Sequence, residues 1–102
     1  MKKDSFLDFV LDQLSDISGL RSRKMFGGYG IYSEEKFFAF ISDGVLYFKT
    51  TPETRIRYEK LGSGPFRPSP KQTLKNYYEV REEVLENREM FLEWARESIA
   101  IV

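Results

Sequence analysis

The chain of 102 residues contains no cysteine and no histidine. Without cysteine there is no disulfide and no thiolate nucleophile, and without either residue the commonest zinc and haem ligands are missing. Losing histidine also removes the side chain whose ordinary pKa suits proton transfer near neutral pH. Any catalysis would have to rest on carboxylates, lysine, arginine, tyrosine or serine. Long apolar runs are lacking as well. No window approaches ~18 consecutive apolar residues, the length that carries a helix across a bilayer. The opening stretch MKKDSFLDFVLDQL sets Asp8 and Asp12 within its apolar residues, which excludes the uninterrupted apolar core of a secretory signal. A cytoplasmic protein is the expectation. An excess of charge is also missing, since 16 Lys+Arg balance 16 Asp+Glu. That balance argues against a nucleic-acid binder driven by bulk charge.

What the chain does have is aromatic mass. Nine Phe, six Tyr and an apolar fraction of 41% are enough to fill one core, and the length is that of a single domain spanning 1–102. The charges, balanced in sum, are unevenly placed. Residues 21–75 hold eleven Lys/Arg and five Asp/Glu, and the rest of the chain reverses those numbers. A basic middle is thus flanked by acidic ends. Two acidic helices with solvated outer faces explain this, and so does a basic patch that meets an acidic partner.

Residues 5–18 have the periodicity of a helix, with Phe6, Val10, Leu14 and Ile17 on its apolar stripe, Ser5 and Asp8 at capping-box spacing, and Gly19 as its stop. Asp8, Asp12 and Asp16 step along another face. Carboxylates on a rigid helix point outward and do not wrap an ion as a loop does, so they read as a solvated face. Residues 23–32, 37–42 and 45–50 read as a three-strand meander. Asp43-Gly44 between the last two is a strong hairpin signal, because a type I′ turn requires positive φ at both central positions. Thr51 and Pro52 open a short helix to about Lys60. GSGPFRPSP, 62–70, reads as loop with at most a short extended piece, 71–80 as a further strand, and 81–102 as one long helix. The expected class is α+β: a two-layer antiparallel sheet of four to five strands with helices mainly on one face, in the order α-β-β-β-α-β-α.

The stretch Met25-Phe26-Gly27-Gly28-Tyr29-Gly30 raises a choice between a phosphate loop and a glycine-bearing strand. A phosphate loop points backbone N–H groups at an anion just ahead of a helix. Here Ile31 and Tyr32 follow, which are strand residues, and neither the Walker spacing nor the dinucleotide fingerprint is present. Glycine in a strand instead permits a bulge or the close approach of a neighbour. The expectation is that Gly27, Gly28 and Gly30 shape the first strand, with Tyr29 lying over the gap.

RKMFGGYGIY, FAFISDGVLYFKT, PFRPSP, NYYEV and EVLENREMFLEWA, taken as a series, resemble the N-terminal domain of the TfoX (Sxy) family, from about Arg21 to Ala95. The resemblance implies an α+β fold similar to secretion chaperones. It further implies a regulatory role in natural transformation competence, exerted together with a cyclic-AMP receptor protein at competence-gene promoters. No catalytic residue comes with it. Two-domain members of the family carry a C-terminal domain of helix-hairpin-helix character. This chain stops at Val102, so a stand-alone version is the expectation. Arg81 stands where the family pattern tends to have proline.

Three readings of function compete. The first is a protein-interaction domain regulating DNA-uptake genes, with a homodimer through the sheet as a further expectation. The second is direct nucleic-acid binding through a patch formed by Arg21, Arg23, Lys24, Lys49, Arg55, Arg57 and Arg67; the opposing reading is that these residues pair with the acidic helices. The third is small-molecule binding. No residue is assigned to catalysis, to a cofactor or to a metal. Both faces of the 37–50 hairpin carry large apolar groups, Phe38 and Phe40 opposite to Phe37, Ala39 and Ile41. A loop, a helix or another protein should therefore cover the second face. Nucleobase stacking needs cations among the rings, and FAFIS and VLYF contain none. Phe66 reads either as a loop anchor in the core or as an exposed docking residue.

Overall fold

The computed structural model describes residues 2–25, 27–69 and 71–102. Phe26, expected to belong to the glycine motif, lies outside the described residues. The elements run α1 (Lys2–Gln13), β1 (Leu20–Met25), β2 (Gly28–Ser33), β3 (Lys36–Ser42), β4 (Val45–Lys49), α2 (Arg55–Lys60), β5 (Pro65–Ser69), β6 (Gln72–Glu79), α3 (Glu82–Leu85) and α4 (Arg88–Ile101). All strand pairings are antiparallel, in one sheet of order β1-β2-β3-β4-β6-β5. The α+β class holds, with six strands rather than four or five.

Most departures from the sequence expectation come from turns. Residues 23–32 are not one strand. A turn at Gly27 (φ 76) folds them back, so that β1 pairs with β2 from Leu20↔Ser33 to Met25↔Gly28. The loop 62–70 contains β5, an edge strand on β6. The helix expected over 81–102 is broken: Asn87 has extended backbone, and its Oδ1 accepts from Met90 N at 3.1 Å, capping α4 as a separate helix. The first helix ends at Gln13, with Ser5 inside it rather than at its cap, and tighter turns carry Leu14 and Ile17 into the core. Thr51 Oγ1 accepts from Thr54 N at 3.1 Å and Thr51 N donates to Thr54 Oγ1 at 2.8 Å, which closes a turn over 51–54; α2 starts later than expected, at Arg55, with Thr54 in the cap position and no side-chain cap bond. Asp43 (φ 55) and Gly44 (φ 76) form the expected turn.

A bulge in β3 decides which way the phenylalanines face. Tyr32 pairs with Phe37 and Ile31 with Ala39, which leaves Phe38 as an extra residue. An extra residue resets the two-residue alternation. Phe38 and Ala39 therefore both enter the core beneath the helices, and Phe40 remains on the opposite face with Phe37. This corrects the simple alternation expected for FFAFIS. The core lies between the sheet and the helix layer: Ile31, Phe38, Leu46, Phe48, Tyr58, Val84, Phe91 and Ala95 are almost fully buried. Phe48 stacks on Phe91 of α4 at 5.4 Å and 9°, a contact worth about 0.5–1.5 kcal/mol beyond its buried area. The Ser98 hydroxyl donates to the Lys49 carbonyl at 2.8 Å and ties α4 to β4. Among the described residues no helix is long and apolar enough to cross a membrane.

A candidate docking face on the open side of the sheet

One face of the sheet carries the helices and the other does not. Paired residues point to the same side, so the register assigns Arg21, Arg23 and Met25 of β1 to the open side, together with Gly28, Gly30 and Tyr32 of β2. Phe37 and Phe40 follow from β3, Tyr47 and Lys49 from β4, and Tyr77 and Glu79 from β6. The glycines work here in an unexpected way. Tyr29 faces the helix side and packs against the core. The gap above Gly30 is filled instead by Met25 and Phe37, both of which a Cβ at that position would meet at 2.9 Å. Gly28 has no room for a Cβ because the Ile41 carbonyl oxygen occupies that space. The strand reading of the glycines is the right one, with the roles of Tyr29 and Met25 exchanged.

Rings pave the open side. Tyr32 contacts Phe37 at 5.2 Å, Phe37 contacts Tyr77 at 6.1 Å, and Phe66 of β5 lies 5.6 Å from Phe40 and 4.7 Å from Tyr47. Phe66 thus anchors its strand on this face rather than in the helix-side core. The hairpin of β5 and β6 covers Phe40, which is 8% exposed, and leaves the other rings half-buried. Between the two edges of the sheet runs a wholly apolar groove of about 150 Å³, lined by Met25, Phe37, Phe40, Phe66, Leu74 and Tyr77. Leu74 is 38% exposed at its rim. Burial raises the pKa of the Tyr77 and Tyr47 phenols above 10.0, the latter with help from the carboxylates of Glu79 and Asp43.

The cations of the expected patch divide into groups. Arg21 lies over the Tyr32 ring at 4.6 Å and its Nε donates to the Glu34 carbonyl at 3.2 Å. Lys49 Nζ lies over the Tyr77 ring at 5.2 Å. Together with Arg23 they share the open side, and no described carboxylate pairs with any of the three. Lys24 faces the other way, opposite Tyr29. Arg55 donates to the Lys75 carbonyl at 3.4 Å, and Arg67 is exposed on β5. Arg57 is committed elsewhere: it bonds Glu97 at 2.7 Å, approaches Glu93 at 4.0 Å, and lies over Trp94 at 4.3 Å. The alternative reading, pairing with the acidic helices, describes Arg57 and does not describe Arg21, Arg23 or Lys49. Read strand by strand, FAFIS and VLYF show no cation among their rings. Arg21 and Lys49 reach their rings across strands.

Both edges of the sheet carry residues that disfavour further pairing. Edge strand β1 carries Arg21, Arg23 and Lys24, and edge strand β5 carries Pro65 and Pro68. Edge charges and prolines both oppose the addition of another strand.

A family model described as the TfoX N-terminal domain matches residues 12–101. The chain belongs to the TfoX N-terminal domain family. It is 33% identical over 82 residues to the DNA transformation protein TfoX1 of Aliivibrio fischeri. That match covers 78% of this chain and 37% of the relative, so the chain corresponds to well under half of that protein's length. The matched segment of this TfoX N-terminal domain takes in every strand and thus the whole open side. The three acids Asp8, Asp12 and Asp16 are exposed on the opposite layer, with Asp16 paired to Arg88 at 3.5 Å.

Proposed function

We propose that this chain is a regulatory protein-interaction domain in the control of DNA transformation, acting through a protein partner that docks on the open side of the sheet. The observation that carries the reading is a half-buried aromatic face, grooved and uncovered by helices, on a sheet whose edges are blunted. Surfaces of that kind mark protein contacts more often than solvent. The family, and the role in DNA transformation named for a relative that shares the domain, supply the process. Binding rather than catalysis suits a chain without cysteine or histidine. The proposed partner belongs to the transcription machinery, and a cyclic-AMP receptor protein is the first to test.

The test is a gene deletion complemented with the parent chain and with Leu74→Asp, which sets a charge at the groove. Transcripts of DNA-uptake genes and the transformation frequency should fall on deletion. The parent should restore both and Leu74→Asp should not, with its urea midpoint showing that it folds. Unchanged transformation on deletion would remove the process, and full restoration by Leu74→Asp would remove the face.

A second reading has an observation of its own, the three cations on the open side without carboxylate partners among the described residues. If they held nucleic acid, labelled duplex DNA would bind with an affinity that falls steeply with salt. Arg21→Glu and Arg23→Glu would each weaken it. Anisotropy titrations at low and moderate salt should show no such binding.

A further inference from the structure

We infer that the occupant of the open face is an acidic peptide segment bearing one large apolar anchor residue, an inference that rests on the docking reading above. The groove sets the anchor. Its lining is apolar throughout and its volume is about 150 Å³, a size that in a protein interior accepts one benzene-sized group. One phenylalanine, leucine or methionine fills it. The flanks set the charge. Arg21, Arg23 and Lys49 outnumber the described carboxylates beside them, Glu79 on the face and Asp43 near its Tyr47 end, so the face is net basic and complementary to an anionic segment.

The same observations disfavour the other occupants. Nucleobases stack on open ring faces, but Arg21 already covers Tyr32 and Lys49 covers Tyr77. The remaining rings tilt onto each other, at 34° for Tyr32 and Phe37 and 48° for Tyr47 and Phe66. A second copy docking by two-fold symmetry would set a net basic face against itself. Strand addition is opposed by the cations of β1 and the prolines of β5. What fits is a segment lying across the face, apolar residue down and carboxylates beside the cations.

The probe is a fluorescein-labelled acidic peptide with one central phenylalanine, compared by anisotropy with the same peptide carrying alanine there, with its lysine counterpart, and with oligo-dT. The acidic phenylalanine peptide should bind at least tenfold more tightly than each of the other three. Leu74→Asp and Arg23→Glu, both at exposed positions and both checked for an unchanged urea midpoint, should each weaken it by fivefold or more. Light scattering should give a monomer mass. Equal binding of the phenylalanine and alanine peptides, or indifference to both substitutions, would overturn the inference. Tighter binding of oligo-dT, or a dimer that Leu74→Asp dissociates, would do so by assigning the face to another occupant. Failure here with Leu74→Asp still inactive in the complementation test would sink the acidic anchor alone. Peptide binding with transformation unchanged on deletion would sink only the process.

Discussion

Single residues in this domain are constrained by close approach as well as by conformation. Gly28 and Gly64 make the point as a pair. A methyl group at Gly28 would overlap the Ile41 carbonyl, whereas at Gly64 it meets nothing within 4 Å and no positive φ stands in the way. Gly28→Ala should cost about 1–3 kcal/mol through overpacking. Gly64→Ala should leave stability unchanged or raise it by ~0.4–1 kcal/mol through the unfolded chain. Urea denaturation of the two variants checks both signs. Sequence reading found that glycine mattered near residue 28, but could not say which neighbour pressed on it. That neighbour belongs to β3, and its approach depends on the pairing register.

Elements were legible where a local signal sets them. The Asp43-Gly44 hairpin and strand β6 follow from neighbouring residues. The break between α3 and α4 was missed because apolar spacing from Val84 to Ile99 runs through it, and a polar residue at Asn87 looks like any solvent-facing position. Its side chain takes the Met90 N–H, which makes it a helix start. Asn87→Ala should lower stability by about 0.5–2 kcal/mol, read as a reduced urea midpoint with an unchanged m-value. The β1–β2 turn was missed for a similar reason: two strands joined by a two-residue connection looked like one long run. The bulge at Phe38 had no sequence signal at all, since it is a property of pairing.

At the scale of the whole molecule, four tyrosines add a pH dependence at the alkaline end. Burial raises the phenol pKa of Tyr47, Tyr58, Tyr77 and Tyr78 above 10.0. Tyr58 is shifted furthest: its hydroxyl is buried with no well-formed hydrogen bond among the described residues, and the nearby Ser98 hydroxyl and the Arg57 guanidinium offset only part of the effect. Tyr78 adds a hydrogen bond to Glu59 at 2.8 Å. A raised pKa in the fold means that the folded state holds the proton more tightly than the unfolded chain. Its contribution is complete below pH 10 and is lost as pH rises beyond, when unfolded phenols ionise first. The urea midpoint should therefore decline from about pH 10 upward. Tyr58→Phe should flatten that decline, and near neutral pH it should hold or raise stability by up to ~1 kcal/mol, because a buried hydroxyl without a well-formed hydrogen bond is gone.

The sequence by itself determined the α+β class, the aromatic core, the hairpin at Asp43-Gly44, the family and the concentration of cations in the middle of the chain. These follow from composition, from periodicity and from contacts between near neighbours, which a linear reading can see. The tertiary structure decided which cations share a face, which rings they cover, and that a groove opens between β1 and β5 and β6. Residues 25, 37, 40, 66, 74 and 77 come together only when a six-stranded register brings both edges of one sheet toward a common centre. A single extra residue in β3 sets which of its phenylalanines face that groove and which enter the core.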